Sequence, residues 1–211
     1  ADLLLRGKTI PALARAGADS IWIGAESGSQ KILDAMDKGI TVEQVRDATR
    51  RLHEANIRVG YFLQFGYPGE TREDIEQTFA LVRQARPDHL GVSISYPLPG
   101  TPFYEQVRAQ LGAKQHWTDS NDLAMLYRGP FNTNFYRTLH RLLHKQHRTQ
   151  KAKGRLAQRL TLREAASFLY HIATVPYQKL KLEYHARQPH TGIRSLPQRL
   201  TTTEAATPSP F

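Results

Sequence analysis

Three short stretches carry the residue types that bind and orient small molecules. The first is Gly24-Ala25-Glu26-Ser27-Gly28-Ser29-Gln30, with one carboxylate, two hydroxyls and two glycines. Glycine lets a ligand approach the backbone. The free N–H groups of a following helix start favour an acceptor or an anion. Glu26 can bind an ammonium or a ribose diol, although Ser29 also suits an ordinary N-cap. The second stretch is Gly66-Tyr67-Pro68-Gly69-Glu70-Thr71. Pro-Gly makes a tight turn with Gly69 suited to positive φ. Thr71 can cap a helix, and Glu70 just before it is favoured by the helix dipole. Turn chemistry explains most of that stretch, but not Gln64, which sits among Tyr61, Phe62, Leu63 and Phe65 near the end of a strand. A buried amide needs partners, and a ligand's polar edge supplies them. The third stretch, Ser95-Tyr96-Pro97-Leu98-Pro99-Gly100-Thr101-Pro102, is a stiff, proline-shaped loop.

Other chemistry is poorly supported. Ser27 lacks a nucleophile-elbow context. His140, His144 and His147 share a helix face at i, i+4 and i+7, but without the Glu of a His-Glu-x-x-His site they read as a solvated basic face. The chain has no cysteine, which excludes disulfides, thiolate zinc, a catalytic Cys and any Cys-ligated iron–sulfur cluster within it. No apolar run reaches the roughly 18–20 residues of a membrane span, and no signal pattern opens the chain. The sequence therefore predicts a cytoplasmic protein without a span. Its start, Ala1-Asp2-Leu3 without Met, reads as that of a processed or truncated product.

These stretches must be held by regular elements. Apolar periodicity predicts helices over 3–16, 29–36, from Thr41 to Asn56, from Thr71 to Pro87, and from Thr101. Strands are predicted over 20–24, 57–65 and 90–96. Thr41 with Gln44, and Thr71 with Asp74, form capping patterns. Strands separated by helices imply right-handed crossovers and a parallel sheet, and ligands bind at the carboxyl ends of such strands. The three stretches each follow a strand and should line one rim.

Charge divides the chain. Residues 1–112 hold 13 basic and 14 acidic side chains, whereas residues 113–211 hold 16 basic and 5 acidic ones. The expected organisation is an α/β unit over 1–112, a basic helical extension over 113–185 and a disordered tail over 186–211. In the extension a helix is expected over 134–150. A basic joint follows at 151–155, then a helix from Thr161 that Pro176 interrupts. Trp117 to Leu123 is read as a linker over the rim, where Asp119 and Asp122 serve as caps before they serve as ligand contacts.

The strand-end stretches resemble those of radical S-adenosylmethionine (SAM) enzymes. Ile23 to Ser29, followed by Ile32-Leu33, Met36 and Lys38-Gly39, is similar to the fourth-strand motif of that superfamily. Phe62 to Thr71 is similar to the fifth and Ser95 to Thr101 to the sixth. The branch most resembled is the cobalamin-binding one that includes the anaerobic magnesium-protoporphyrin monomethyl ester cyclase, and the likeness extends to about His147. The resemblance implies the C-terminal half of a partial (β/α)6 TIM-like barrel, strands four to six, with a helical extension. It implies SAM as cofactor, a [4Fe–4S] cluster whose three cysteines lie outside this chain, cobalamin bound by a further domain, and radical oxidoreductase chemistry on a small organic substrate. Carried over by position, Glu26, Ser27 and Ser29 contact the ribose or methionine part of SAM. Gln64, Gly66 and Pro68 line the adenine side, and Tyr96 and Pro97 close the rim. The missing N-terminal part of the same protein is the implied partner, and the chain alone is expected to be inactive and prone to associate through the open flank of its first strand.

The alternative is a cluster-free relative that binds RNA or an acidic partner through its basic half. RNA-binding surfaces interleave aromatics with basic residues. Residues 145–165 contain none, which disfavours nucleic acid.

Overall fold

A computed structural model describes residues 1–111, 123–155 and 161–188. The elements run α1 (Asp2–Leu5), α2 (Thr9–Arg15), β1 (Ser20–Glu26), α3 (Gln30–Ala35), α4 (Val42–Glu54), β2 (Arg58–Phe65), α5 (Arg72–Ala85), β3 (His89–Ile94) and α6 (Pro102–Val107). A 3-10 turn, α7 (Thr133–Arg155) and α8 (Leu162–Ala186) follow. The three strands form one parallel sheet in the order β1-β2-β3. The expected α/β architecture, three parallel strands alternating with helices, is what the chain adopts.

Local signals set most boundaries. Thr41 and Gln44 close a full capping box on α4, as Thr71 and Asp74 do on α5. Asn56 leaves α4 with φ +57°, a conformation Asn tolerates better than most residues. The buried stripe of α4 is Val45, Ala48, Thr49 and Leu52, with Val42 only half-buried. Along β2 the faces alternate. Val59, Tyr61, Leu63 and Phe65 are buried with the helices, and the Tyr61 hydroxyl lies 2.6 Å from Thr49 Oγ1. Burial pushes that phenol up to about 12.

The opposite, inner face of the sheet is layered. Trp22, Gly60 and His89 pair across the three strands, then Gly24, Phe62 and Gly91, then Gln64 with Ser93. Each ring lies over a glycine. A Cβ on Gly60 would stand 2.4 Å from Trp22, and one on Gly91 3.1 Å from Phe62. Trp22 and Phe62 stack at 4.7 Å, and both are largely exposed.

The structure departs from the sequence expectation in several places, among them β3, which ends at Ile94 rather than at Tyr96. The first predicted helix is two, because Gly7 turns the chain with φ +52°. β1 runs on to Glu26. Residues 151–155 continue α7 rather than forming a joint. Pro176 lies inside α8, which passes through it without a break. Proline removes one helical hydrogen bond. Packing of Val175 and Leu182 against the core carries the helix across that gap.

Helices α7 and α8 pack on each other, and α7 lies over α5 and β3. Phe135, Leu139, Leu142 and Leu143 of α7 join the core. His147 Nε2 lies 2.7 Å from Pro87 O, and Lys151 Nζ donates to Asp88 O at 2.8 Å. The Trp117–Asp122 stretch and the segment 189–211 lie outside the described residues.

Candidate functional site

The strand order places the three loops after β1, β2 and β3 side by side along one rim. The β1 loop begins with a bulge. Pairing passes from Gly24 opposite Phe62 directly to Glu26 opposite Leu63, which leaves Ala25 as the extra residue. Glu26 takes φ +55°, a left-handed conformation that strains a residue with a Cβ by about 1 kcal/mol or more. The bulge re-aims its side chain. Glu26 Oε1 lies 3.0 Å from the point a Cβ on Gly24 would occupy, so the carboxylate folds back over the bare glycine on the inner face. Lys38 Nζ meets Oε1 at 2.9 Å. Glu26 is only 6% exposed, yet its Oε2 has no hydrogen-bond partner. A buried, half-satisfied carboxylate retains the capacity to accept further donors.

Ser27 and Ser29 point elsewhere. Thr78 Oγ1 donates to Asp74 O at 3.1 Å and accepts from Gly28 N at 2.9 Å. Because a hydroxyl has one hydrogen, the 3.2 Å contact between Ser27 and Thr78 is donated by Ser27. Ser27 Oγ in turn accepts from Ser29 N at 3.1 Å. Ser29 Oγ donates to Asp74 Oδ1 at 2.7 Å rather than capping α3. Both hydroxyls therefore fasten the β1 loop to the first turns of α5. Gly28 is required for that approach, since a Cβ there would lie 2.3 Å from Gln77 O. Here the backbone that glycine admits is a helix of the same chain.

Asp74 is the hub of this junction. Its Oδ2 accepts from Thr71 N at 2.8 Å and Thr71 Oγ1 at 2.7 Å and meets Lys31 Nζ at 2.5 Å. Burial pushes its carboxyl up, but Lys31 and the Ser29 and Thr71 donors outweigh burial and hold it down at about 2.

The β2 loop is built on Glu70. Its Oε2 accepts from Gly66 N at 2.7 Å, while Oε1 is buried without a hydrogen-bond partner. Burial raises this carboxyl to about 8, helped by the nearby Asp74 charge, so it is mostly protonated at neutral pH. The Tyr127 hydroxyl donates to Gly66 O, and Tyr67 OH donates to Ala35 O at 2.8 Å. Gly66 has φ +88°, and a Cβ on it would lie 2.6 Å from Met125 Cε. Residues beyond the sheet therefore clamp this loop from above.

Gln64 lies on the inner face beside Ser93 and is half-buried, as is Pro68 at the turn. After β3, Ser95 is 4% exposed and its Oγ has no partner. Tyr96 is half-buried and Pro97 buried. The structure thus brings Glu26, Gln64, Gly66, Pro68, Tyr96 and Pro97 to one rim, with Ser27 and Ser29 turned onto α5. Lys38, Lys31, Asp74, Thr78 and Tyr127 join them there. For Lys38 the available signal was its position just past α3, where a cation can return to the strand end. For Thr78 no sequence signal exists beyond its place one turn after Asp74.

Residues 2–82 match the sequence model of the Radical SAM superfamily. Over that segment the chain is similar to the superfamily. The matched segment covers β1, β2 and most of α5, which includes both the Glu26 and Glu70 loops. Among relatives, the chain is 33% identical over 99 residues to an uncharacterized methyltransferase of Pyrococcus horikoshii, a match covering 46% of this chain and 21% of that protein. It is 33% identical over 97 residues to the anaerobic magnesium-protoporphyrin IX monomethyl ester cyclase of Cereibacter sphaeroides, covering 46% and 16%. It is 38% identical over 84 residues to a tRNA-2-methylthio-N(6)-dimethylallyladenosine synthase of Hahella chejuensis, covering 39% and 19%. The matched part is thus about a fifth of the length of these relatives.

Proposed function

We propose that the rim binds SAM within a radical SAM enzyme, and that the cluster which cleaves SAM is held by cysteines outside these 211 residues. The observation that carries this reading is the Glu26 carboxylate, buried on the inner face with one oxygen unpartnered. Ser95 Oγ is a second orphaned polar atom at the same rim, and Gly24 and Gly91 let the Glu26 carboxylate and the Phe62 ring lie flat against the inner face between them. A polyhydroxylated, cationic cofactor fits such a set, because its ribose hydroxyls or ammonium can donate to the free oxygen. Glu26 is assigned to that contact. Gln64, Gly66 and Pro68 are assigned to the adenine side, and Tyr96 and Pro97 to the closing edge. Ser27 and Ser29 contribute by backbone and by fixing the loop, since their hydroxyls already hold α5.

A [4Fe–4S] cluster does not fit this chain, which has no cysteine, and no step of its chemistry is assigned to these residues. When bound, SAM is the source of the radical that abstracts a substrate hydrogen. The protein's part at this rim is to bind, orient and exclude water. Likeness to the cyclase supports a place in the cobalamin-using branch, with an organic small molecule as substrate.

The test is equilibrium dialysis of labelled SAM against the 211-residue chain. Binding is expected, and Glu26→Ala should weaken it by about 10-fold or more, the worth of a hydrogen bond to a charged group. Unchanged affinity in a Glu26→Ala protein with native circular dichroism would overturn the assignment.

A further inference from the structure

The outward face of α8 is apolar from end to end. At 100° per residue, Leu162, Leu169, Ala173, Leu180 and Tyr184 fall within a stripe about 60° wide and about 33 Å long. Leu162 is 91% exposed, Leu180 72% and Tyr184 61%. The buried residues of the helix, His171, Gln178 and Leu182, lie on the opposite side. The helix thus carries an apolar stripe on the side away from its packing partners, and a contiguous exposed apolar patch of that length marks an interaction surface.

The surroundings of the stripe identify the cover. Arg163 and Lys181 flank it on one side and Lys179 on the other. The two carboxylates of α7 and α8 are both engaged: Glu164 closes its capping box with Thr161, and Glu183 pairs with Arg72. Beside the stripe, α5, α7 and α8 enclose a cleft of about 480 Å³. Arg83, Lys153 and Lys179 line it above an apolar wall of Ile172, Val175 and Pro176, with no carboxylate lining it among the described residues. An apolar ridge adjoining a cationic, apolar-walled cleft matches an amphiphile with an acidic head. A second copy of this chain would set like charges against each other along the ridge. No helix among the described residues is long and apolar enough to cross a membrane.

We infer that α8 lies in the interface of an anionic bilayer, with the leucine and tyrosine ridge at the headgroup–acyl boundary and an acidic headgroup in the Arg83–Lys153–Lys179 cleft. This is the arrangement of a monotopic amphipathic helix, in which buried apolar area and attraction to anionic lipid act together. It is independent of the SAM reading of the rim.

The test is flotation of the 211-residue chain with phosphatidylcholine vesicles, with or without about one third phosphatidylglycerol. Flotation separates bound protein from aggregate. Binding is expected with the anionic vesicles alone and should weaken as salt rises. Leu169→Glu with Leu180→Glu, both on the exposed ridge, should reduce it by about 100-fold or more. Lys153→Ala with Lys179→Ala should reduce it by roughly 25-fold, which keeps the test decisive if the ridge variant fails to fold. Several results would overturn the proposal: no flotation, equal flotation with neutral vesicles, or binding indifferent to the lysine pair. So would a dimer that the ridge substitutions dissociate, or saturable binding to generic RNA in place of vesicles.

Discussion

Glu70 should make the protein lose stability as pH rises through neutrality. The native carboxyl titrates at about 8 against an ordinary 4.5, so over that interval the folded state holds a proton the unfolded chain has released. The stabilising contribution is complete below about 4.5 and is lost as pH climbs towards 8. At about 1.4 kcal/mol per unit, the cost reaches about 3 kcal/mol at pH 7 and stays below about 1 kcal/mol at pH 5. Glu70→Gln retains an oxygen for the Gly66 N–H and carries no proton to lose. It should therefore be more stable than the wild type by about 3 kcal/mol at pH 7, which is a rise of about 1.5 M in urea midpoint for a typical slope. Three histidines of α7 contribute in the opposite sense. Burial lowers His140, His144 and His147, so their charging in the unfolded chain weakens the fold as pH falls. Both proteins share that effect, and the difference between their urea midpoints from pH 5 to 8.5 isolates Glu70. Parallel curves, offset equally at every pH, would refute the reasoning.

Four further outcomes follow from the contacts that hold the two rim loops. Gly28→Ala should destabilise the fold by about 3 kcal/mol, the upper range for overpacking, because the obstructing atoms are helix backbone; thermal melting reads this. Asp74→Ala leaves the Ser29 and Thr71 donors unsatisfied and should cost about 3 kcal/mol, measured by urea unfolding at neutral pH. Asp74→Asn should flatten the acid limb of the stability curve. A carboxylate held at about 2 supports the fold above its ordinary 3.8 and loses that support as pH falls towards 2. Tyr127→Phe removes the donor to Gly66 O and should cost about 1 kcal/mol in the same urea assay.

Elements whose signals lie within a few residues were legible in the sequence. The Thr41–Gln44, Thr71–Asp74 and Thr161–Glu164 boxes fix three helix starts, and the apolar, aromatic-rich run to Phe65 marks β2. The three strand-end loops could be placed on one rim because topology alone puts them there. The direction of each side chain could not be read. Ser27 and Ser29 look like ligand hydroxyls in sequence, but their partners are about fifty residues away on α5. Glu26 reaches the inner face through a bulge that no local pattern announces. Pro176 reads as a break when judged by propensity, and only packing against the core outweighs that preference.

The attachment of both rim loops to one helix end has a kinetic consequence. Gly28 N and Ser29 Oγ bond to Thr78 and Asp74, while Glu70, immediately before α5, holds Gly66 N. The β1 loop therefore cannot open without disturbing the first turns of α5, the helix into which the β2 loop runs directly. The amides of the two loops should exchange hydrogen for deuterium together, with a shared opening free energy, as members of one foldon. The backbone around Gly28 and Gly66 should then remain protected in the ligand-free chain, so that this rim is ordered before any cofactor arrives.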